Sequence, residues 1–166
     1  MSDLTSAAAP SLRDDDHVRG PEDGPLVVVY ADLACPHCAV AHERLRAAGV
    51  RVCLRHFALR TRHPRALPLA LASEAAAAQD AFWPFVDAVY ADQGRIDDPH
   101  LWAKAGELGL DVDRFDAARR SDTAAQRVAR DVQDGLRAGV AQTPTLIVEG
   151  VLHGGVPTAE WLARLH

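Results

Sequence analysis

The chain has 166 residues, 48% of them hydrophobic and 25% charged, with a formal net charge of −5 at pH 7. That length suits one domain carrying an insertion and is enough to bury a core, so the composition excludes a fibrous or disordered chain. Net negative charge without a basic, aromatic-interleaved stripe excludes nucleic acid as an expected partner, and no run approaches the roughly 18 apolar residues of a membrane span.

Residues 1–15 read as a mobile polar tail, with Ala7-Ala8-Ala9-Pro10 followed by acidic residues. From Met1 to Pro25 there is neither the basic flank nor the apolar stretch of a secretory signal, which predicts a cytoplasmic protein. Val18 begins a short edge strand before the turn cluster Gly20-Pro21-Glu22-Asp23-Gly24-Pro25. Leu26 to Tyr30 is a continuous valine-rich run, the pattern of a strand buried on both faces. A helix-like run from Ala39 to Ala48 ends near Gly49, and Val50 to Phe57 makes the next strand, completing a βαβ unit.

Residues 58–140 are too many for one crossover and carry no convincing strands, so they read as inserted helices. Ala66 to Gln79 is alanine-rich, and Phe82, Phe85, Val86 and Val89 repeat at helical spacing, which makes Phe82-Trp83-Phe85 core rather than a ligand box. Asp98-Pro99 caps a helix bearing Leu101, Trp102, Ala105 and Leu108, while Val128, Val132 and Leu136 mark another that stops at Gly139. The chain closes with a strand over Thr145-Leu146-Ile147-Val148-Glu149, a turn at Gly150, a strand over Val151-Leu152-His153, and an amphipathic helix carrying Trp161, Leu162 and Leu165. The predicted class is α/β, with a sheet domain over 16–57 and 141–166 interrupted by the helical insertion.

Three cysteines are too few, and odd in number, for a disulfide scaffold. Cys53 lies within a strand-like run and reads as a small buried apolar side chain. Cys35-Pro36-His37-Cys38 stands where the first strand gives way to the helix. Unpaired N–H groups and the positive dipole end of a first helical turn favour a thiolate, the reactive form of cysteine. Cys35 is therefore the expected nucleophile, and Cys38, one turn on, the thiol that attacks a mixed disulfide on Cys35 and releases the partner. Pro36 suits the first helical position, and the His37 imidazole is expected to lower the Cys35 pKa.

Thr143-Pro144-Thr145, directly before a strand, together with the C-x-x-C at the first strand–helix junction, resembles the cis-proline loop of the thioredoxin superfamily. The resemblance implies a cis Thr143–Pro144 bond beside the Cys35 sulfur, with the Thr143 backbone and Pro144 shaping a groove where an extended substrate segment pairs by strand addition. Within that superfamily the chain looks like a DsbA-type thiol–disulfide oxidoreductase from about residue 16 to 165, on Asp16-His17-Val18-Arg19-Gly20, Asp23-Gly24-Pro25, Cys35-Pro36-His37-Cys38, Arg55-His56-Phe57 and Phe82-Trp83. It implies a thioredoxin-like fold with an inserted helical domain. Its implied partners are protein thiols and disulfides or a low-molecular-weight thiol, with no dissociable cofactor and no metal.

One departure is chemical. Members of this family often carry a glutamate six residues before the nucleophile, thought to handle protons for the resolving cysteine; here that residue is Val29, and Asp32 is the nearest acidic candidate. Two other readings stand beside the first. Cys35, Cys38 and His42 are donors of the type that hold zinc in a non-redox binding module, although no second ligand pair is spaced to complete it. A kappa-type glutathione-dependent isomerase or transferase would keep the fold, but its single-thiol chemistry leaves Cys38 without a role.

Overall fold

The computed structural model describes residues 11–59 and 61–166. In chain order the elements are β1 (His17–Arg19), β2 (Leu26–Ala31), α1 (Pro36–Ala48), β3 (Arg51–His56), α2 (Ala66–Ala77), α3 (Phe82–Ala91), α4 (Asp98–Glu107), α5 (Val112–Ala118), α6 (Asp122–Arg137), β4 (Thr145–Val148), β5 (Val151–Gly154) and α7 (Ala159–Ala163). The strands form one mixed sheet in the order β1-β3-β2-β4-β5, with β2 and β3 parallel and every other pair antiparallel. This is the α/β, thioredoxin-like arrangement expected, with helices α2 to α6 inserted between β3 and β4.

Alternation along β2 explains why its valines run unbroken. Val27, Val29 and Ala31 join the larger core with α1 and α3, while Val28 and Tyr30 join a smaller core on the opposite face with Cys53, Phe57, Val140 and Ile147. Tyr30 pairs with Thr145 and Val28 with Ile147, so the start of β4 lies beside the end of β2. That register carries the segment before β4 to the N-terminus of α1.

Two helical details differ from expectation. The side chain capping α4 is Asp97, which accepts from the His100 N–H, and Asp98 is already inside the helix. Helix α5, capped by Asp111, is additional to the expected elements; at seven residues it is too short to show a periodic apolar face.

The first ten residues of the expected tail lie outside the described residues. Residues 11–16 are held by a buried ionic cluster: Arg55 donates to Asp16 at 3.1 and 2.7 Å and to the Ser11 carbonyl at 2.8 Å, and Arg13 donates to Asp131 of α6 at 2.5 Å. Burial works against the Asp16 carboxylate, yet bonds from Arg55 and Arg13 bring it down to about 2. The cluster fixes β1 as an edge strand on β3.

Candidate active site

Cys35 is the N-cap residue of α1, with Pro36 in the first helical turn and Gly49 closing the helix in the left-handed region at φ 66°. Its backbone N–H donates to the Asp32 carbonyl at 3.1 Å and its carbonyl accepts from the Ala39 N–H at 3.2 Å. The Gln93 amide, just beyond α3, donates to the carbonyls of Leu33 at 3.0 Å and Cys35 at 3.1 Å. The loop bearing Cys35 is thus tied both to the first turn of α1 and to the segment after α3.

Both cysteines are reduced and buried, while Pro36 and His37 between them are exposed. A hydrogen bond from the Cys38 thiol is the largest influence on Cys35 and outweighs burial. Main-chain N–H groups of Cys38 and His37 add to it, and the Cys35 thiol is held well below the ordinary thiol range. Cys38 is pushed the opposite way by that same bond and by its own burial. Their surroundings thus push the two thiols in opposite directions, Cys35 toward the anion and Cys38 toward the neutral form. His37 contributes through its main chain, whereas the expectation rested on its ring.

The Thr143–Pro144 peptide bond is cis. The Thr143 carbonyl oxygen lies 3.8 Å from the Cys35 sulfur. The Thr145 hydroxyl donates to the Gln142 carbonyl at 2.7 Å and ties the turn before β4. The Cys35–Cys38 pair and the Thr143–Pro144 pair, more than a hundred residues apart in the chain, meet at one end of the sheet.

Cys53 is fully buried on the far face, its thiol pushed up to about 12 by burial above all, which suits packing and not exchange. The zinc reading fails on geometry: among the described residues no group of three or more His, Cys, Asp or Glu side chains could hold a metal ion. His42 Nε2 is instead 2.6 Å from Asp87 Oδ1. Asp32 turns its carboxylate to the Ala34 N–H at 2.8 Å, and burial pushes that carboxyl up to about 6. Gln93 and Asp87 had no sequence signal, since each acts across more than forty residues on a partner that only the fold supplies.

A family model described as thioredoxin matches residues 13–165. The chain belongs to the thioredoxin family. Among solved structures, a thioredoxin-like oxidoreductase from Silicibacter pomeroyi DSS-3 superposes with a TM-score of 0.82 at 22% identity, covering 92% of this chain and 91% of that one. DsbA2 from Pseudomonas aeruginosa gives 0.75 at 23% identity, over 93% and 94%. These likenesses establish the fold that the thioredoxin family shares with DsbA proteins. Curated relatives include the Na(+)/H(+) antiporter NhaA of Herminiimonas arsenicoxydans, 43% identical over 142 residues, and NhaA 3 of Salinispora tropica, 40% identical over 156. These stretches are 81% and 90% of this chain but only 22% and 24% of those proteins. The chain spans about a quarter of the length of these relatives. No helix among its described residues is long and apolar enough to cross a membrane.

Proposed function

We propose that this thioredoxin-family chain is a thiol–disulfide oxidoreductase that exchanges disulfides with protein thiols or a low-molecular-weight thiol. The observation that carries the reading is the placement of the pair: Cys35 caps α1 with Cys38 one turn on, both reduced, the Thr143 carbonyl before the cis bond lies 3.8 Å from the Cys35 sulfur, and the surroundings lower the Cys35 thiol while raising that of Cys38. Cys35 attacks a substrate disulfide and forms a mixed disulfide. Cys38 then attacks Cys35, closing the Cys35–Cys38 disulfide and releasing the reduced substrate; the reverse sequence oxidises a substrate dithiol. Pro36 and His37 set the poise of the pair, and Thr143 with Pro144 forms the wall along which an extended substrate segment lies.

The electrons reside in the two sulfurs, so the cycle as written draws on no other group. The antiporter relatives are whole proteins about four times as long, and the reading is confined to the thiol chemistry of the stretch they share with this chain.

Equilibration with reduced and oxidised glutathione, followed by mass mapping, tests the proposal. A reversible Cys35–Cys38 disulfide is expected, with Cys35→Ser abolishing exchange and Cys38→Ser trapping a mixed disulfide on Cys35. Exchange that survives Cys35→Ser contradicts it. Glutathione-dependent turnover that survives Cys38→Ser would replace the dithiol cycle with a single-thiol one.

A further inference from the structure

Closing the active-site disulfide requires Cys38 to give up a proton, yet its bond to Cys35 and its burial both hold that proton on. Val29, on the strand beneath, offers only methyl groups. The Asp32 carboxylate faces the Ala34 N–H; it is the Asp32 main-chain N–H that points at the Cys38 sulfur, at 3.5 Å.

Behind Cys38 lies a cavity of about 250 Å³, walled by Val29, Tyr90 and His42 and reaching Arg19 and Arg46. A space of that size with polar groups in its wall admits water. His42 stands four residues after Cys38 on α1, so the two side chains share one face of the helix. Its ring is 8% exposed and lies 4.8 Å from the Tyr90 ring, centroid to centroid.

His42 Nε2 is 2.6 Å from Asp87 Oδ1 and 3.1 Å from Arg19 Nη2. A guanidinium can only donate, so the ring cannot satisfy both contacts through one nitrogen. The shorter, charge-assisted contact assigns the proton to Nε2, donating to Asp87. Asp87 is itself held by Arg19, whose Nη1 donates to Oδ2 at 2.9 Å while its guanidinium lies 4.3 Å above the Trp83 ring. Nδ1 is left as the ring's acceptor, with no hydrogen bond from any described residue. Arg19 and Arg46 join burial in disfavouring the imidazolium, against the opposing pull of Asp87, and the ring is pushed below its ordinary value.

We propose that His42, oriented by Asp87, accepts the proton of Cys38 across this cavity during disulfide closure and returns it when the disulfide is opened. The inference rests on the oxidoreductase reading. In the closing direction the Cys38 S–H bond breaks, its proton passes through cavity water to His42 Nδ1, and the sulfur's electron pair forms the bond to Cys35. The bond between Cys35 and the substrate sulfur breaks, and the substrate leaves as a thiolate. One substrate disulfide is reduced as one protein dithiol is oxidised. His42 then releases its proton to solvent. Asp87 is a positioning residue, fixing the tautomer.

The test uses the reduced chain and an aromatic disulfide reagent, which separates the two steps. Attack by Cys35 releases one chromophoric thiolate, and closure by Cys38 releases the second. In His42→Gln the first release is expected to be unchanged and the second slowed about 100-fold at neutral pH, the scale of a lost general base, with its rate now proportional to hydroxide. Asp87→Asn, which keeps the imidazole, is expected to slow the second release by a smaller factor and leave the first intact, and it carries the test should the first variant fold poorly. An unchanged second release and pH profile overturns the proposal. So does an equal slowing of both releases without a change in pH profile, which is the signature of a structural role. Failure of the oxidoreductase reading would look different, because the unsubstituted chain would then never give the second release.

Discussion

The main-chain N–H of Asp32 points at the sulfur of Cys38, 3.5 Å away, while the carboxylate of the same residue is buried and bonded to the Ala34 N–H. Asp32 therefore turns a main-chain donor toward Cys38 and carries a buried carboxyl of its own. Burial pushes its carboxyl up to about 6, and the nearby Cys35 sulfur adds to the shift. A folded-state value above the unfolded one means the group supports the fold at low pH and withdraws that support as pH rises through about 6. Asp32→Asn keeps the acceptor for Ala34 and removes the charge. Urea unfolding is expected to show the variant more stable by about 2 kcal/mol at neutral pH, with the difference vanishing below about pH 4. A variant less stable at neutral pH would contradict this.

His37 reaches Cys35 through its main-chain N–H, which survives substitution. His37→Ala is accordingly expected to leave the Cys35 thiol and the poise of the pair close to those of the unsubstituted chain, well below the ordinary range of a free thiol. Thiolate absorbance against pH measures this. A raised Cys35 midpoint would mean the ring contributes as well, and a full return to the free-thiol range would mean the helix terminus contributes nothing.

Away from the cysteines, one oxygen of Glu74 accepts from both His17 and His56, each at 2.8 Å. Burial penalises this carboxylate, but the two imidazoles outweigh the penalty and hold it well below the usual range. A depressed carboxylate contributes stability above its unfolded value that is lost as pH falls. Glu74→Gln is expected to cost about 1–3 kcal/mol at neutral pH and to remove part of the acid sensitivity below about pH 4. Parallel loss of stability in both proteins on acidification would refute the assignment.

Gly135 is inside α6, where alanine would ordinarily be the better helix former. Here a Cβ would stand 2.9 Å from the rings of both Phe57 and Tyr30, which are themselves buried. Gly135→Ala should therefore destabilise the fold by about 1–3 kcal/mol, the cost of overpacking, instead of stabilising it. Thermal or urea unfolding decides the sign.

Much of this was legible in sequence because the signals were local. The valine run of β2, the Cys35-Pro36-His37-Cys38 turn and Thr143-Pro144 each announce their element within a few residues, and the strand register then brings the first pair to the second. What could not be read were pairings created only by folding. Arg13 meets Asp131 across 118 positions and His42 meets Asp87 across 45, and neither leaves a periodic trace. Asp97 displaced Asp98 as the cap of α4 because both suit the role and only the backbone decides between them. The ring of His37 is visible in the sequence and its N–H is not, because main-chain donors are the same at every residue.

The central claim is that Cys35 and Cys38 divide one pair into an anion and a protected thiol. Alkylation of the reduced, folded chain over a range of pH, with the modified residue mapped by mass, tests it directly. A single fast site at Cys35 is predicted, with a midpoint far below that of a free thiol, while Cys38 and Cys53 react only on unfolding. Faster reaction at Cys38, or a Cys35 midpoint at the free-thiol value, would contradict the account.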